Sequence, residues 1–242
     1  MGVKRPRPKA QAPYALSPKP AVSAEFVTSA AGAGDFPRDG LAEVALVGRS
    51  NVGKSSLINA LVRKPVARTS AAPGKTRLAN VYRVQSARGP AFYLVDLPGY
   101  GYARGGDASA REFRQLAEAY FARGMGTQRA VPRKELAAVL LVDARHPGLE
   151  ADLAAWEWLQ AQPIPIAVAA TKVDKLTRAE RVRHSRELDS LFAGPVPLVS
   201  SHAGEGLEEL WKLIVTLPNP TPMAEPEPPP PPLRPRPLKP RR

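Results

Sequence analysis

Residues 48–55 read GRSNVGKS, which is the pattern GxxxxGKS. An apolar stretch at 44–47 precedes this run, and residues 56–61, SLINAL, follow it with the composition of a helix. Strand, glycine loop and helix in this order form a phosphate-binding loop, in which backbone N–H groups and the helix N-terminus face phosphate oxygens. We expect Lys54 to reach the β- and γ-phosphates of a nucleoside triphosphate and the Ser55 hydroxyl to ligate Mg²⁺. A coincidental glycine turn is the alternative, and the flanking strand and helix argue against it.

The composition of the 242 residues is strongly basic, with a formal net charge of +13. Residues 41–217 carry +7 of this charge, so the surplus is not confined to the ends of the chain. Such a surplus favours polyanionic partners, RNA first, although charge that merely keeps a protein soluble is the alternative. The absence of cysteine excludes disulfides and thiolate metal sites. With no secretory signal and no apolar run long enough to span a bilayer, we expect a cytoplasmic protein. We also expect a monomer.

Proline marks the two ends of the chain. Of the 28 prolines, 12 lie in residues 218–242 and 6 in residues 1–40. We predict that 1–21 and 218–242 are disordered, basic, Pro-rich extensions. A solvated tail is our interpretation of 218–242, and a nonspecific RNA-binding arm is the alternative. The residues between them, 22–217, are predicted to form one domain with its core at 41–217.

Apolar stretches alternate with amphipathic ones through this domain. A capping-box pattern at Ser109 and Glu112 precedes one helix, and Thr177 with Glu180 precedes another. A third apolar stripe of helical period runs through 207–215. The strands are predicted at 42–47, 79–85, 91–96, 136–143, 164–170 and 197–200. The alternation predicts an α/β fold, a mostly parallel sheet with helices on both faces, with the ligand at the carboxyl ends of the strands.

A second motif, DLPG at 96–99, ends an apolar strand. Asp96 in this place is expected to hold Mg²⁺ through a water, and the Gly99 N–H is expected to approach a γ-phosphate. A turn or helix-capping aspartate is the alternative. The loop 67–77 lies between the two motifs, and there the hydroxyl of Thr76 would complete the Mg²⁺ shell. A loop ordered by γ-phosphate and Mg²⁺ is a nucleotide-dependent switch.

A third motif, TKVD at 171–174, follows another apolar strand. Asp174 is placed to accept hydrogen bonds from the N1–H and 2-amino groups of guanine, which adenine does not offer. The stem of Lys172 would lie against the base, and backbone N–H groups of 199–201 would meet the guanine O6. An ordinary carboxylate near a helix N-terminus is the alternative for Asp174.

Taken together, these motifs resemble those of the EngB (YihA/YsxC) family of bacterial GTPases, in the TrmE-Era-EngA-EngB-septin-like superfamily. The resemblance covers residues 22–217 and rests on GRSNVGKSS, ARTSxxPGKT, DLPGYG and TKVD. It implies a six-stranded P-loop GTPase domain that binds GTP or GDP and Mg²⁺. It also implies a ribosome-associated role in assembling the large ribosomal subunit, through contact with its precursor and rRNA, and a need for the protein in cell division and septation.

The expected nucleotide-binding residues fall in the phosphate loop, the two switch segments and the base motif. They are Gly48, Arg49, Ser50, Asn51, Val52, Gly53, Lys54, Ser55, Gly74, Lys75, Thr76, Arg77, Leu78, Asp96, Leu97, Pro98, Gly99, Thr171, Lys172, Val173, Asp174, Val199, Ser200 and Ser201. The expected catalytic residues are Lys54, Thr76, Gly99 and Asn51. The expected metal ligands are Ser55 and Thr76 for Mg²⁺, Asp96 through a water, and Asn51 for K⁺.

Two positions depart from the commonest GTPase pattern. Thr171 stands where asparagine is usual; threonine is typical of the resembled family, but it loses an amide contact, so modest nucleotide affinity is expected. Tyr100 stands where many GTPases carry a glutamine that orients the attacking water. We therefore expect slow intrinsic hydrolysis. Either K⁺ bound at Asn51, as in related GTPases where it replaces an arginine finger, or the ribosomal particle would complete catalysis.

Basic residues that flank the first switch, follow the second or precede the strand at 136–143 are predicted to form an RNA surface, and the first two groups are expected around the nucleotide edge, with a solvated set of arginines as the alternative. They are Arg68, Lys75, Arg77, Arg104, Arg111, Arg114, Arg123, Arg129, Arg133 and Lys134. Two other functions stay open: a P-loop ATPase or kinase acting on a small substrate, and a non-enzymatic GTP-binding scaffold of the septum. We interpret Trp156, Trp158 and Trp211 as packing residues, and Glu150 and Asp152 as a helix first turn rather than an acid–base pair.

Overall fold

The computed structural model describes residues 22–68, 78–86, 89–101, 106–124 and 136–218. Within these residues the strands form a single six-stranded sheet in the order β1-β3-β4-β2-β5-β6. The strands are β1 Val22–Ala30, β2 Ala42–Gly48, β3 Ala79–Ser86, β4 Ala91–Asp96, β5 Leu136–Asp143 and β6 Ile166–Thr171.

The central part of the sheet is parallel. Strand β2 runs parallel to both β4 and β5, and β5 runs parallel to β6. Strands β1 and β3 form an antiparallel extension, in which β3 pairs antiparallel with both β1 and β4. The near-continuous apolar sequences of β2, β4 and β5 are explained by burial on both faces of the sheet.

Helices cover both faces of this sheet. The helices are α1 Lys54–Val62, α2 Gly106–Phe121, α3 Glu150–Gln160, α4 Arg178–Leu191 and α5 Leu207–Thr216. One core packs residues of α2, α3 and α4, such as Leu159 and Leu188, against Ala45 and Val47 of β2. The other core packs α1 and α5 against the opposite face of β2. The predicted α/β fold with a mostly parallel, six-stranded sheet is therefore confirmed.

Two strand predictions were wrong in detail. The segment 197–200 is not a strand and contributes only an isolated bridge between Leu198 and Ala170. The sixth strand is instead β1 at the sheet edge, which has a weak apolar signal because an edge strand can leave Phe26 and Val27 exposed. Strand β6 begins at Ile166 rather than at 164, directly after Pro165, which has no N–H to give to a ladder.

The helix predictions hold apart from one start. Helix α2 begins at Gly106, so residue 109 lies inside the helix and not at the N-cap position predicted for it. Its predicted apolar face is buried, with the ring of Phe113 half-buried at one end. The capping box of α4 is present: Thr177 Oγ1 accepts from the Glu180 amide at 3.3 Å, and Glu180 Oε2 accepts from the Thr177 amide at 2.8 Å.

The tryptophans pack as expected. Trp156 contacts Phe192, Trp158 contacts Phe121 and Trp211 contacts Phe92, with ring centroids 5.5–5.9 Å apart. None of the helices in the described part of the chain has the length and apolar character that crossing a membrane requires.

Candidate nucleotide-binding site

The phosphate loop connects β2 to α1 at the carboxyl edge of the sheet. Gly53, immediately before α1, has a φ of +114°, a conformation that glycine adopts without strain. Gly48 packs so closely that an added Cβ would lie 2.8 Å from the carbonyl oxygen of Leu141 and from Val52 Cγ1. These two glycines let the backbone turn back on the N-terminus of α1, as phosphate binding requires.

Lys54 is buried beneath this loop. Its ammonium group donates a hydrogen bond to the Gly48 carbonyl at 3.2 Å, which spans the loop from its last residue to its first. Burial lowers the pKa of Lys54, and the nearby charge of Asp96 opposes that shift. An anion in the loop would favour the charged form of this amine.

Asp96 ends β4 beside the first turn of α1. Its Oδ2 accepts a hydrogen bond from the Ser55 hydroxyl at 2.8 Å, and its Oδ1 is buried with no hydrogen-bond partner among the described residues. Burial raises the pKa of Asp96, against the opposing effects of Lys54 and Ser55. An unpartnered carboxylate oxygen beside a hydroxyl fits Mg²⁺, a hard cation with oxygen ligands.

No group of three or more His, Cys, Asp or Glu side chains with metal-binding geometry occurs in the described parts of the chain. A metal ion at Ser55 and Asp96 would therefore complete its shell with waters and ligand phosphates, which is the usual mode for Mg²⁺ in nucleotide sites.

The DLPG segment lies directly on the phosphate loop. A Cβ added to Gly99 would fall 2.6 Å from the amide nitrogen and Cα of Ser50, so only glycine fits. The Ser50 amide donates to the Tyr100 carbonyl at 3.0 Å, and the Ser50 hydroxyl donates to the Gly99 carbonyl at 3.3 Å. The DLPG segment is thus bonded to the phosphate loop through its backbone.

A buried cluster of three side chains lies next to this contact, and the sequence reasoning missed it. Asp152, in the first turn of α3, is 1% exposed. Its carboxylate accepts from the Tyr100 hydroxyl at 2.8 Å and from Arg49 Nε at 3.0 and 3.1 Å. Burial raises the pKa of Asp152 and of the Tyr100 hydroxyl. The helix-first-turn interpretation of Asp152 was correct, but its spacing of 103 residues from Arg49 gave no sequence signal for the contact.

The base motif is bonded to the phosphate loop at two points. The buried hydroxyl of Thr171 donates to the Val52 carbonyl at 2.7 Å, and its oxygen also lies 3.1 Å from the Val142 carbonyl. Lys172 has a φ of +64°, and its ammonium group donates to the Asn51 carbonyl at 2.6 Å. The short threonine at 171 therefore makes its own contact with the loop.

Asp143, at the end of β5, is a second residue that the sequence reasoning missed. It is 3% exposed and accepts hydrogen bonds from Lys172 at 3.0 Å and from Arg145 at 2.9 and 2.7 Å. Burial alone would raise the pKa of Asp143, but these hydrogen bonds hold it well below its usual range. The available signal was its position: like Asp96, it ends a buried strand at the carboxyl edge.

Asp174 is oriented by Ser200, which is the final residue of the segment predicted as the last strand. Ser200 Oγ donates to Asp174 Oδ1 at 2.7 Å, and Lys175 Nζ lies 3.4 Å from Oδ2. Burial would raise the pKa of Asp174, but the hydrogen bonds from Ser200 and Lys175 lower it below the ordinary value. The Val199 amide donates to Ala170 and the Ser200 amide to Glu205, so two of the three amides expected at a guanine O6 are bonded within the protein.

The structure thus brings the phosphate loop, the DLPG segment and the base motif together at one edge of the sheet. Leu78 is exposed where β3 begins. The predicted positions Gly74, Lys75, Thr76 and Arg77 lie outside the described residues, as do Arg104, Arg129, Arg133 and Lys134.

One of the predicted RNA-contacting residues is engaged elsewhere. Arg123 donates to Glu43 at 3.0 Å and to the Pro37 carbonyl at 2.7 Å, and its guanidinium lies 4.7 Å from the Phe36 ring centroid. With a side chain only 16% exposed, Arg123 is an internal brace rather than an RNA contact. Arg68, Arg111 and Arg114 are exposed, as an RNA surface would require.

Comparison with known proteins agrees with this geometry. The family model described as "50S ribosome-binding GTPase" matches residues 43–172, more than half of the chain. A probable GTP-binding protein EngB from Pelotomaculum thermopropionicum is 47% identical over 201 residues, covering 79% of this chain and 93% of that protein. The chain belongs to the EngB family of GTP-binding proteins. A probable EngB from Thermotoga maritima is 41% identical over 197 residues, covering 80% of this chain and 95% of that one.

Solved structures agree on the fold. Era from Aquifex aeolicus, solved with GDP and AlF₄⁻, is 22% identical with a TM-score of 0.60, and the match covers 73% of this chain and 56% of the Era chain. A crystal structure of a probable GTP-binding protein EngB is 23% identical with a TM-score of 0.55, covering 73% and 98%. The expected family, the P-loop GTPase fold and the link to ribosome binding are confirmed.

Proposed function

We propose that this EngB-family protein binds GTP with Mg²⁺, hydrolyses it slowly, and acts as a nucleotide-dependent switch in assembly of the large ribosomal subunit. The observation that carries the proposal is Asp174, oriented by Ser200 at the end of a motif that is bonded to the phosphate loop through Thr171 and Lys172. Base and phosphate recognition are thereby joined in one site.

Guanine recognition follows from the hydrogen-bonding inventory of this site. An ionised Asp174 is an acceptor only, which suits the two donors on guanine N1 and its 2-amino group. Adenine would leave the carboxylate without these two donors, at a cost of about 1–3 kcal/mol or more. Since the amides of Val199 and Ser200 are bonded internally, we assign the O6 contact to the amide of Ser201.

Phosphate chemistry falls to the residues around α1. Lys54 would exchange its bond with the Gly48 carbonyl for phosphate oxygens, and the Gly99 amide would meet the γ-phosphate. Mg²⁺, when bound at Ser55 and through a water on Asp96, neutralises charge on the phosphates; Thr76 is proposed as its further ligand. The Tyr100 hydroxyl already donates to Asp152, so it does not orient an attacking water, which supports slow intrinsic hydrolysis.

The ribosomal part of the proposal rests on the family and on charge. The matching family is described as ribosome-binding, and the net charge of +13 suits an RNA partner. We propose that the protein acts as a monomer on the precursor of the large subunit and its rRNA, and that normal cell division and septation depend on it.

Base specificity tests this function directly. We expect GDP to bind and ADP not to bind, and Asp174→Asn to shift preference from guanosine to xanthosine diphosphate, because an amide presents a donor to the xanthine 2-oxo group. Calorimetric titration of the three nucleotides measures it. Glu187→Gln on α4 is the matched control and should behave as wild type. Tight ADP binding by the wild type would instead support a P-loop ATPase or kinase.

The trigger for hydrolysis is tested with monovalent cations. Asn51 is exposed in the phosphate loop. Its main-chain carbonyl already accepts a hydrogen bond from Lys172, so its side-chain amide oxygen is the proposed K⁺ ligand. We expect faster turnover in KCl than in NaCl, and loss of the difference in Asn51→Ala, because K⁺ would supply the charge of an arginine finger. Equal rates in both salts would leave stimulation to the ribosomal particle.

A further inference from the structure

We infer that Asp152 is a positioning residue for recognition of the γ-phosphate: it clamps the Gly99 segment onto the phosphate loop, and it thereby favours GTP over GDP. This inference rests on the proposed GTP-binding function of the site. It concerns a residue of α3 that lies in none of the nucleotide-binding motifs.

The clamp is built around the contact between Ser50 and Gly99. Arg49 directly precedes Ser50, and Tyr100 directly follows Gly99. Both side chains bond to the same buried carboxylate, Asp152, at 2.8–3.1 Å. One side chain of α3 therefore fixes both chain segments next to the point where they touch.

The surroundings keep this arrangement in one geometry. The ring centroids of Tyr100 and of Phe113, on α2, lie 5.6 Å apart. Backbone pairing of Ser50 with Tyr100 adds a further bond at 3.0 Å. Because the carboxylate of Asp152 is almost fully buried, its hydrogen bonds are made in a low dielectric and are poorly replaced by water.

The phosphate loop and the Gly99 segment are proposed to contact different phosphates of the nucleotide, and this difference determines how the clamp affects GTP and GDP. The phosphate loop serves GDP and GTP alike, whereas the Gly99 amide serves a γ-phosphate, which GDP lacks. Holding Gly99 in place before binding removes an ordering cost from GTP recognition only. A clamp on Gly99 therefore acts on the ratio of the two affinities.

The experiment compares Asp152→Asn and Tyr100→Phe with two matched controls. Glu157→Gln makes the same amide change at an exposed position of α3. Tyr93→Phe, in β4, removes a similar tyrosine–carboxylate bond, 2.7 Å long, to Asp39. For each protein, the dissociation constants of GDP and a non-hydrolysable GTP analogue are measured with Mg²⁺, together with the thermal midpoint.

We expect both test variants to bind the GTP analogue about tenfold more weakly, as for one lost hydrogen bond to a charged group, with GDP affinity within about twofold of wild type. The controls should keep the wild-type ratio, even if Tyr93→Phe lowers the thermal midpoint. Equal losses for both nucleotides, an unchanged ratio or tighter analogue binding would overturn the inference. Should Asp152→Asn fail to fold, Tyr100→Phe still decides, because it leaves the pair of Asp152 with Arg49 intact. Failure of the wild type to bind GDP would instead overturn the proposed function.

Discussion

Asp96 and Asp143 end the two strands that flank β2, yet their environments push their pKa values in opposite directions. Asp96 is buried with one unpartnered oxygen, and burial raises its pKa. Burial also acts on Asp143, but donors from Lys172 and Arg145 outweigh it and lower the pKa. Asp96 thus keeps an oxygen that can accept a hydrogen bond from a metal-bound water, while Asp143 already accepts hydrogen bonds from Lys172 and Arg145.

Asp143→Asn should weaken the binding of both GDP and the GTP analogue by about tenfold, because it removes a charge-assisted bond from Lys172, whose stem is proposed to lie against the base. The same titrations used for Asp152 measure this effect, with Glu187→Gln as the control. Asp152→Asn should therefore change the ratio of the two affinities, whereas Asp143→Asn should leave that ratio unchanged. A loss confined to the GTP analogue would contradict the role given to Asp143.

At the scale of elements, the sequence predicted what is local and failed where distant segments meet. The apolar runs that predict strands β2, β4 and β5 lie within those strands, and the capping box that predicts the start of α4 lies within four residues of it. Edge strand β1 was missed because its pairing with β3 joins residues that are 49 to 64 positions apart in the sequence, and because one of its faces is exposed. In the site, the motifs were found by spelling, but Asp152 and the internal role of Arg123 depend on contacts that no short pattern encodes.

Helix α4 offers a stability prediction at this scale. Thr177→Ala should lower the free energy of unfolding by about 1 kcal/mol, because it removes the side-chain acceptor for the Glu180 amide. Urea denaturation measures the change, and Thr177→Ser, which keeps the hydroxyl, should remain near wild type. A similar loss in both variants would show that the methyl group, rather than the cap, is responsible.

For the molecule as a whole, charge and nucleotide recognition are unevenly distributed along the chain. Residues 1–21 and 219–242 together contain +8 of the net +13. The described contacts among the phosphate loop, the DLPG segment and the base motif all lie between residues 22 and 218. Nucleotide binding and general attraction to RNA should therefore be separable by truncation.

A chain restricted to 22–218 should bind GDP and the GTP analogue as tightly as the full chain. Its binding to large-subunit precursors should stay more salt-dependent with the GTP analogue than with GDP, because basic residues near the switches would make phosphate contacts in that state. Cosedimentation over a salt series measures both slopes. Loss of the nucleotide-dependent difference on truncation would assign the RNA contact to the extensions.

The bonds from Thr171 and Lys172 to the carbonyls of Val52 and Asn51 also have a consequence for fragments of the ligand. The same two peptide units would support the proposed base pocket on one side and the proposed phosphate site on the other. The binding free energies of guanosine alone and of pyrophosphate alone should therefore add up to much less than the binding free energy of GDP. Bound guanosine should measurably raise the affinity for pyrophosphate, and this cooperativity should depend on those two hydrogen bonds.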